Sequence, residues 1–415
     1  MRSNYRRIGD FIELIDERNK KLEVNTLVGL SISKEFIPSV ANTIGTNMAN
    51  YKIIKKNQFA CSLMQVRRDK KIPVALLQKF DEAIISQAYP VFQVKDENEL
   101  LPQYLMMWMS RSEFDRQACF LAVGGVRGSL EWDDFCDMEL PIPSIEKQHE
   151  IVKEYNTIVN RIKLNEQLNQ KLEETAQTLH KHWFVDFDFP NTDGKPYKSS
   201  GGKMAYNIEL DKEIPEGWAP KRLDEIGKVV DSLHKTPKYS LQGYPMVRVT
   251  DINAGFLDLS NTMVVEQSVF NEFSKNHKSH KGDIVVSRVG ATFGEFSYAH
   301  TYEKFCLGQN TAVIIPTILD SKLMYTALVS SFIRSQIEMK VVGSAYSTLS
   351  LKDIRELKII LPINNLETTV NPIVSMLDIL FNQRSLCCQE NSSLLKIQQL
   401  TLSKMTKVET EKVLS

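Results

Sequence analysis

The chain has 415 residues, 42% of them hydrophobic, enough for two or three domains with cores of their own. Its 51 Lys and Arg balance 51 Asp and Glu, so the whole-molecule field gives no support to nucleic-acid binding, and any such role has to rest on local charge. No apolar run is long enough to span a bilayer, residues 1–7 lack the apolar stretch of a secretory signal, and the six cysteines show no CxxC spacing, so a soluble cytoplasmic protein with reduced thiols is expected.

Up to Pro143 the chain reads as mixed α and β. The runs Tyr51-Lys52-Ile53-Ile54 and Tyr89-Pro90-Val91-Phe92-Gln93-Val94 predict strands, and a stretch rich in Leu, Met and Trp predicts a helix over 101–114. An apolar run ending in proline, Met138-Glu139-Leu140-Pro141-Ile142-Pro143, closes this unit, and from Ile145 the pattern turns to helical period with many Glu, Gln, Asn and Lys. Alternate steps of four and three from Ile151 give Tyr155, Ile158, Ile162, Asn165, Asn169, Leu172, Ala176, Leu179 and Trp183, a heptad-like seam with one polar layer in its middle. Such a seam predicts a helix that pairs with another; the plainer alternative is an amphipathic helix lying on a domain surface.

Residues 187–203 are dense in turn formers and poor in aliphatics, which predicts a linker. A second unit opens at Ile214-Pro215-Glu216-Gly217-Trp218 and closes at Leu357-Lys358-Ile359-Ile360-Leu361-Pro362. Its own long helix follows, with a looser seam of Ile373, Leu377, Leu380, Arg384, Cys387, Asn391 and Leu394 and with Pro372 expected at or before the first turn. The expected division is 1–143, a helix over 144–184, a linker over 185–213, a second unit over 214–362, a helix over 363–405 and a tail over 406–415.

The strand, proline and helix thus recur about 220 residues apart, far too long a period for a solenoid, so the domain is duplicated. The repeat extends inside the units. Lys56-Asn57-Gln58-Phe59-Ala60-Cys61-Ser62 aligns with Lys281-Gly282-Asp283-Ile284-Val285-Val286-Ser287, and Gln87-Ala88-Tyr89-Pro90-Val91 with Gln309-Asn310-Thr311-Ala312-Val313.

Residues 51–71 hold Lys52, Lys55, Lys56, Arg67, Arg68, Lys70 and Lys71 against the single acid Asp69. Cations on a turn between strands suit phosphate contact, and Arg67 or Arg68 suits a guanine edge; the plain alternative is a solvated basic loop. The corresponding part of the second unit carries Lys275, Lys278 and Lys281, then Ser287-Arg288-Val289-Gly290-Ala291-Thr292-Phe293-Gly294. The candidate DNA-contacting positions are Lys55, Lys56, Ser62, Arg67, Arg68, Lys70, Lys71, Gln87 and Tyr89 in the first unit and Arg248, Lys275, Lys278, Lys281, Ser287, Arg288, Gln309 and Asn310 in the second. His277 with His280, and His180 with His182, have metal-compatible spacing without further ligands nearby in sequence. Neither an Asn-Pro-Pro-aromatic loop nor a phosphate loop is present: Asn371-Pro372 runs into Ile373, Gly202-Lys203 into Met204, and Val123-Gly124-Gly125 lacks a strand-turn-helix frame. Asp186, Asp188 and Asp283 lack the spacing of a paired-carboxylate nuclease, and Asp283 reads as a strand-opening residue.

The duplicated units, the proline-ended strand before each helix and the Ile214-Pro215-Glu216-Gly217-Trp218 opening together resemble the specificity (S) subunits of Type I restriction-modification systems. Ile8-Gly9-Asp10-Phe11-Ile12-Glu13, Leu140-Pro141-Ile142-Pro143-Ser144-Ile145-Glu146-Lys147-Gln148 and Leu307-Gly308-Gln309-Asn310-Thr311 are similar to that family's patterns. The resemblance implies an α+β architecture: two target-recognition domains, each followed by a long helix, with the helices pairing as an antiparallel coiled coil. It implies a non-catalytic reader of a split, asymmetric site in double-stranded DNA. Two methyltransferase subunits would dock on it for adenine-N6 methylation and restriction subunits are optional, with S-adenosylmethionine, ATP and magnesium held by those partners and none by this chain. Ile151, Tyr155, Ile158, Ile162, Leu172, Leu179, Trp183, Ile373, Leu377, Leu380 and Leu394 are then the expected scaffold and partner positions. A helix of about 40 residues is roughly 60 Å long, enough to set half-sites one DNA turn, about 34 Å, apart. The second helix departs from the pattern, with Leu366-Glu367-Thr368-Thr369 in place of the Gln148 motif. The rival reading is a coiled-coil adaptor whose units bind protein.

Overall fold

The computed structural model describes residues 5–39, 46–124, 128–341 and 348–405; the tail expected over 406–415, and Gly125 of the Val123-Gly124-Gly125 segment, lie outside the described residues. The chain divides into two compact units, Met1–Lys163 with Asn391–Ser415, and Leu164–Glu390. Each unit therefore owns one half of each long helix.

The first unit is built on an antiparallel sheet in the order Ile12–Ile15, Val91–Val94, Phe59–Cys61, Val74–Leu76. In the second unit the order is Gly227–Asp231, Thr311–Pro316, Ile284–Ser287, Phe296–Tyr298, with Gly255–Phe256 added at the edge. The registers coincide. Val91 lies opposite Ile15 and Ala60, and Val313 lies opposite Val230 and Val285. That superposition places Ser62 on Ser287 and, counting back from Val91 and Val313, Gln87 on Gln309, in agreement with the alignments read from sequence. The duplication extends outward: Tyr5–Arg7 pairs with Glu139–Pro141 as Trp218–Arg222 pairs with Lys358–Pro362, and a single helical turn, Ile8–Phe11 or Leu223–Ile226, precedes the first sheet strand.

The strand Ile284–Ser287 is buried at every position, as its unbroken β-branched run requires. Against the first sheet, Phe59 stacks on Phe92 at 4.9 Å and Phe92 meets Phe135 edge-on at 5.7 Å, sealing one core. The helix expected over 101–114 is two helices, Pro102–Met109 and Ser112–Leu121. The Ser110 hydroxyl donates to Met106 O at 2.8 Å, and Arg111 turns extended with its guanidinium 4.2 Å from the Trp108 ring. Hydrogen bonding to local backbone by Ser110 offers the chain an alternative to continuing the helix.

The first long helix runs Ile145–Phe184 and the second Leu366–Lys404. Every position of both predicted seams is buried or half-buried. Within the first unit Gln398 Nε2 donates to Tyr155 Oη at 3.1 Å and Asn391 Nδ2 to Ile162 O at 3.5 Å. Within the second, Asn165 Nδ2 donates to Glu390 Oε2 at 3.0 Å, Asn169 Nδ2 reaches Cys388 Sγ at 3.6 Å, and Arg384 forms an ion pair with Glu173. Partner numbers fall as numbers rise, so the helices are antiparallel in each unit, and the polar middle of the seam is a set of cross-helix pairs of the kind that fixes register.

Two expectations need correction. Pro372 lies inside the second helix, beyond its first turn. Its ring sits on the exposed face while Val370, Ile373 and Leu377 are buried, so core burial outweighs the roughly 3 kcal/mol that an interior proline costs. The segment expected as a linker is packed: Phe187 and Phe189 are buried, Phe189 stacks on Trp218 at 4.8 Å and on Tyr197 at 4.7 Å, and Met204–Asn207 pairs with Lys212–Pro215. Three aromatics among the turn formers supply a small core that composition alone hides. The glutamine missing from the second helix is Gln148 in the first, where it is fully buried: its Oε1 accepts from Leu101 N at 2.9 Å and its Nε2 donates to Glu99 O at 2.8 Å and Pro143 O at 3.0 Å. In the second unit the Lys322 ammonium ties Asp378 of the long helix, at 2.8 Å, to Asp320, at 3.1 Å, and Asp320 caps the helix Ser321–Leu328. Different chemistry anchors the first long helix in the first unit and the second long helix in the second unit.

Candidate nucleic-acid interface

Two turns flank the third sheet strand of each unit, and they divide the sequence-predicted residues. At the end after Cys61 lie Ser62, Arg67, Arg68, Lys70, Lys71, Gln87 and Tyr89; at the end after Val286 lie Ser287, Arg288, Arg248, Gln309 and Asn310. Lys55, Lys56, Lys275, Lys278 and Lys281 come before these strands, at the opposite end. A four-residue strand is about 13 Å long, so the structure separates the two groups.

The opposite end is a turn of shared construction. Asn57 and Gly282 both take positive φ, 67° and 97°. Gln58 Oε1 accepts from Lys55 N at 2.8 Å, and Asp283 Oδ2 accepts from His280 N at 2.6 Å. Asp283 is thus the strand-opening cap expected of it, and His277 Nε2 lies 2.8 Å from the same carboxylate. Lys55 pairs with Glu17 at 2.7 Å and Lys281 lies 5.5 Å from the Tyr302 ring. Lys56, Lys275 and Lys278 are exposed without a carboxylate partner among the described residues.

At the end after Val286, two expectations change. Ser287 is fully buried, its hydroxyl within 3.2 Å of Val289 O and 3.0 Å of Thr292 Oγ1, so it presents nothing to a duplex. Arg288 is largely buried too: Nε donates to Leu349 O at 3.0 Å and Nη1 pairs with Asp231 at 2.7 Å. It clamps the first strand to the segment before Leu351–Arg355. Its counterpart in the first unit is Leu63, since Leu130 N donates to Leu63 O as Leu349 N donates to Arg288 O, both at 2.9 Å. Asp231 has a true counterpart, Asp16, which holds Arg18 at 2.7 Å and Lys52 at 3.6 Å; the Arg18 hydrogen bond keeps its carboxyl below the usual range. Sequence reasoning passed over both aspartates, because a strand-end Asp reads as an ordinary turn residue until the sheet register superimposes them.

What remains on the surface is sparse. Gln309 and Asn310 are exposed on a turn fixed by Gly308 N to Val247 O at 2.8 Å, Arg288 N to Asn310 O at 3.0 Å and Thr311 Oγ1 to Gly308 O at 2.8 Å. Asn310 adopts φ 61°, which Asn tolerates better than most residues. Gly308 packs closely there: a Cβ would stand 3.0 Å from Val247 O, so a side chain would have to displace that carbonyl slightly. Arg248 is half-buried and forks onto Asp251 at 2.9 and 2.8 Å, a bond that raises its basicity further. In the first unit Gln87 is exposed, while Tyr89 is half-buried with its carbonyl accepting from Lys52 Nζ at 3.0 Å. Arg67 donates to Gly124 O at 3.2 Å, Arg68 forks onto Asp69 at 2.6 and 3.1 Å, and Lys70 and Lys71 are exposed without a carboxylate partner among the described residues. An open cleft of about 590 Å³ in the same unit is lined by Lys71 and by Lys34, whose buried ammonium pairs with Asp115 at 2.8 Å.

The histidine pairs form no metal site. His180 is buried and stacks on Phe184 at 5.0 Å, whereas His182 is exposed. Among the described residues no group of three or more His, Cys, Asp or Glu is placed to hold a metal, and no helix is long and apolar enough to cross a membrane.

A duplicated α+β domain, each copy joined to half of each long helix and with polar turns at both ends of its third sheet strand, defines a two-unit scaffold. The profile of the Type I restriction modification DNA specificity domain matches residues 3–174 and again 215–395, and the chain belongs to that family. It is similar to the Type I restriction enzyme MjaIX specificity subunit of Methanocaldococcus jannaschii, 29% identical over 265 residues, covering 62% of this chain and 57% of that protein. It is also similar to the EcoBI specificity subunit of Escherichia coli, 25% identical over 281 residues, covering 65% and 57%. In both matches the chain spans little more than half of the relative's length. The crystal structure of a Type-I restriction-modification system S subunit from M. genitalium shares the fold, with TM-score 0.53, 18% identity, and 98% of this chain and 96% of that one covered.

Proposed function

We propose that the chain is the DNA-specificity subunit of a Type I restriction-modification complex, with each unit reading one half of a split duplex target. The observation that carries this reading is the sheet register: it coincides between the units, whereas the exposed residues that it superimposes beside the strand ends, such as Ala88 and Asn310, differ. A scaffold kept constant while its end groups change suits recognition of two unlike half-sites. On this reading the helix pair carries two methyltransferase subunits that act on adenine N6. Restriction subunits are optional, S-adenosylmethionine, ATP and magnesium belong to the partners, and the complex acts in the cytoplasm.

Affinity would come mainly from phosphate contact, to which the exposed Lys70 and Lys71 at that end of the first unit are suited, and the contact is therefore salt-dependent. The test is co-purification with a methyltransferase subunit followed by equilibrium binding to duplexes carrying candidate split sites. Selective binding that fails when either half is scrambled supports the reading. A complex that binds every duplex alike, or a chain that captures protein partners and no DNA, contradicts it.

A further inference from the structure

Gln87 and Gln309 occupy one structural position in the two units. The position is fixed independently by the sequence alignment and by the register of the following strands, in which Val91 and Val313 face equivalent partners. Everything beside them differs: Ser86 against Gly308, Ala88 against Asn310, Tyr89 against Thr311. The glutamine alone is common to both turns.

The fold gives no reason for that identity. Both side chains are exposed, and among the described residues neither amide makes a hydrogen bond. The turn around Gln309 is held by the backbone of Gly308 and Asn310 and by the Thr311 hydroxyl, and the turn around Gln87 by Tyr89 N donating to Ser86 O at 3.1 Å and Ala88 N to Ser86 Oγ at 3.4 Å. A capping role would leave a hydrogen bond and a packing role would leave the side chain buried; among the described residues neither glutamine shows either.

We infer that Gln87 and Gln309 make the same sequence-independent contact in both units, donating to a phosphate oxygen of the bound half-site, so that the unlike neighbours are left to discriminate bases. The inference rests on the reading of the units as duplex readers. Two units with different targets share a side chain only where the targets are alike, and what two half-sites always share is the sugar-phosphate backbone. A primary amide is a sufficient donor for it, and side-chain amides are ordinary phosphate ligands. The contact fixes register on the duplex without adding charge.

The test uses the full complex with its methyltransferase subunits and panels of duplexes in which one half-site is varied base by base. Gln309→Ala should weaken binding to every member of the second-half panel by about tenfold, the worth of one hydrogen bond to a charged group, with the order of preference unchanged. Gln87→Ala should do the same for the first-half panel. Gln309→Lys should strengthen binding at low salt and steepen the salt dependence by roughly one unit of log K per log of salt, because it neutralises a phosphate. A change in which base is preferred after Gln309→Ala, or an unaltered salt slope in Gln309→Lys, overturns the inference. Wild-type complex that discriminates no half-site overturns the underlying reading instead.

Discussion

Removing the Gln148 side chain should destabilise the first unit more than any other single change on that face of the long helix. Its amide closes three backbone groups from two separate segments: Leu101 N at 2.9 Å, Glu99 O at 2.8 Å and Pro143 O at 3.0 Å, all at a site without solvent exposure. Gln148→Ala orphans a buried N–H, about 1–3 kcal/mol by itself, and takes a donor from two carbonyls that keep only part of their bonding. The void left where a fully buried side chain had packed brings the total to about 3 kcal/mol, toward the upper end of ordinary single-residue effects. In a unit of this size that is a fall of roughly 6–12 °C in midpoint. Calorimetry of the purified chain, with Gln170→Ala on the exposed face of the same helix as the control, measures it. A Gln148→Ala shift no larger than that of Gln170→Ala would refute the assignment of Gln148 as the anchor of the helix.

The Arg384–Glu173 pair makes a second test. Arg384 is almost fully buried, its guanidinium 4.2 Å from the Phe256 ring, so Arg384→Ala leaves an uncompensated carboxylate and should cost about 3 kcal/mol in urea denaturation. Arg384→Met combined with Glu173→Met should return to within about 1 kcal/mol of wild type; a double variant as weak as the single one contradicts this. Acid lability of the second unit follows from His180, which burial pushes down to about 4. The folded state resists the proton that the unfolded state takes up near 6.5, so stability is full above that pH and is lost as pH falls toward 4, by about 3 kcal/mol in all. His300, also lowered to about 4 by burial first and Arg384 second, adds to the loss. His180→Phe should shrink the acid-induced fall without abolishing it, and an unchanged pH profile would contradict the account. Arg288→Ala should lower stability while leaving base preference in the second half-site unaltered, because its side chain is engaged with Asp231 and Leu349 O; altered preference would restore Arg288 as a reader.

The parts of the fold legible in the sequence were those with a period or a partner at fixed distance. The seam from Ile151 to Trp183 needed only helical spacing, and the duplication needed only matching offsets. Asp283 is legible as a strand-opening residue because a carboxylate directly before a β-branched run suits a cap. The rest depended on long-range packing that composition does not encode. Nothing local to Ser287-Arg288 says that the hydroxyl is enclosed or that Asp231, far earlier in the chain, takes the guanidinium. Likewise, a run of cations carries no sign that Lys281 and Arg288 lie at opposite ends of one strand, although strand length alone would have said so once the strand was drawn. Pro372 misleads for the opposite reason: a strong local rule is overridden by the burial of Ile373 and Leu377 in a helix that starts before the proline.

If one chain reads two unlike half-sites through two copies of one scaffold, a genome-wide map of N6-methyladenine shows it. The comparison is between cells with and without this gene, the methyltransferase partner being present in both. Without the gene, methylation should disappear from one split motif, both halves together, and Gln309→Lys and Gln87→Lys complements should restore methylation at that same motif. An unchanged methylation map, or loss of a single continuous motif, would contradict it.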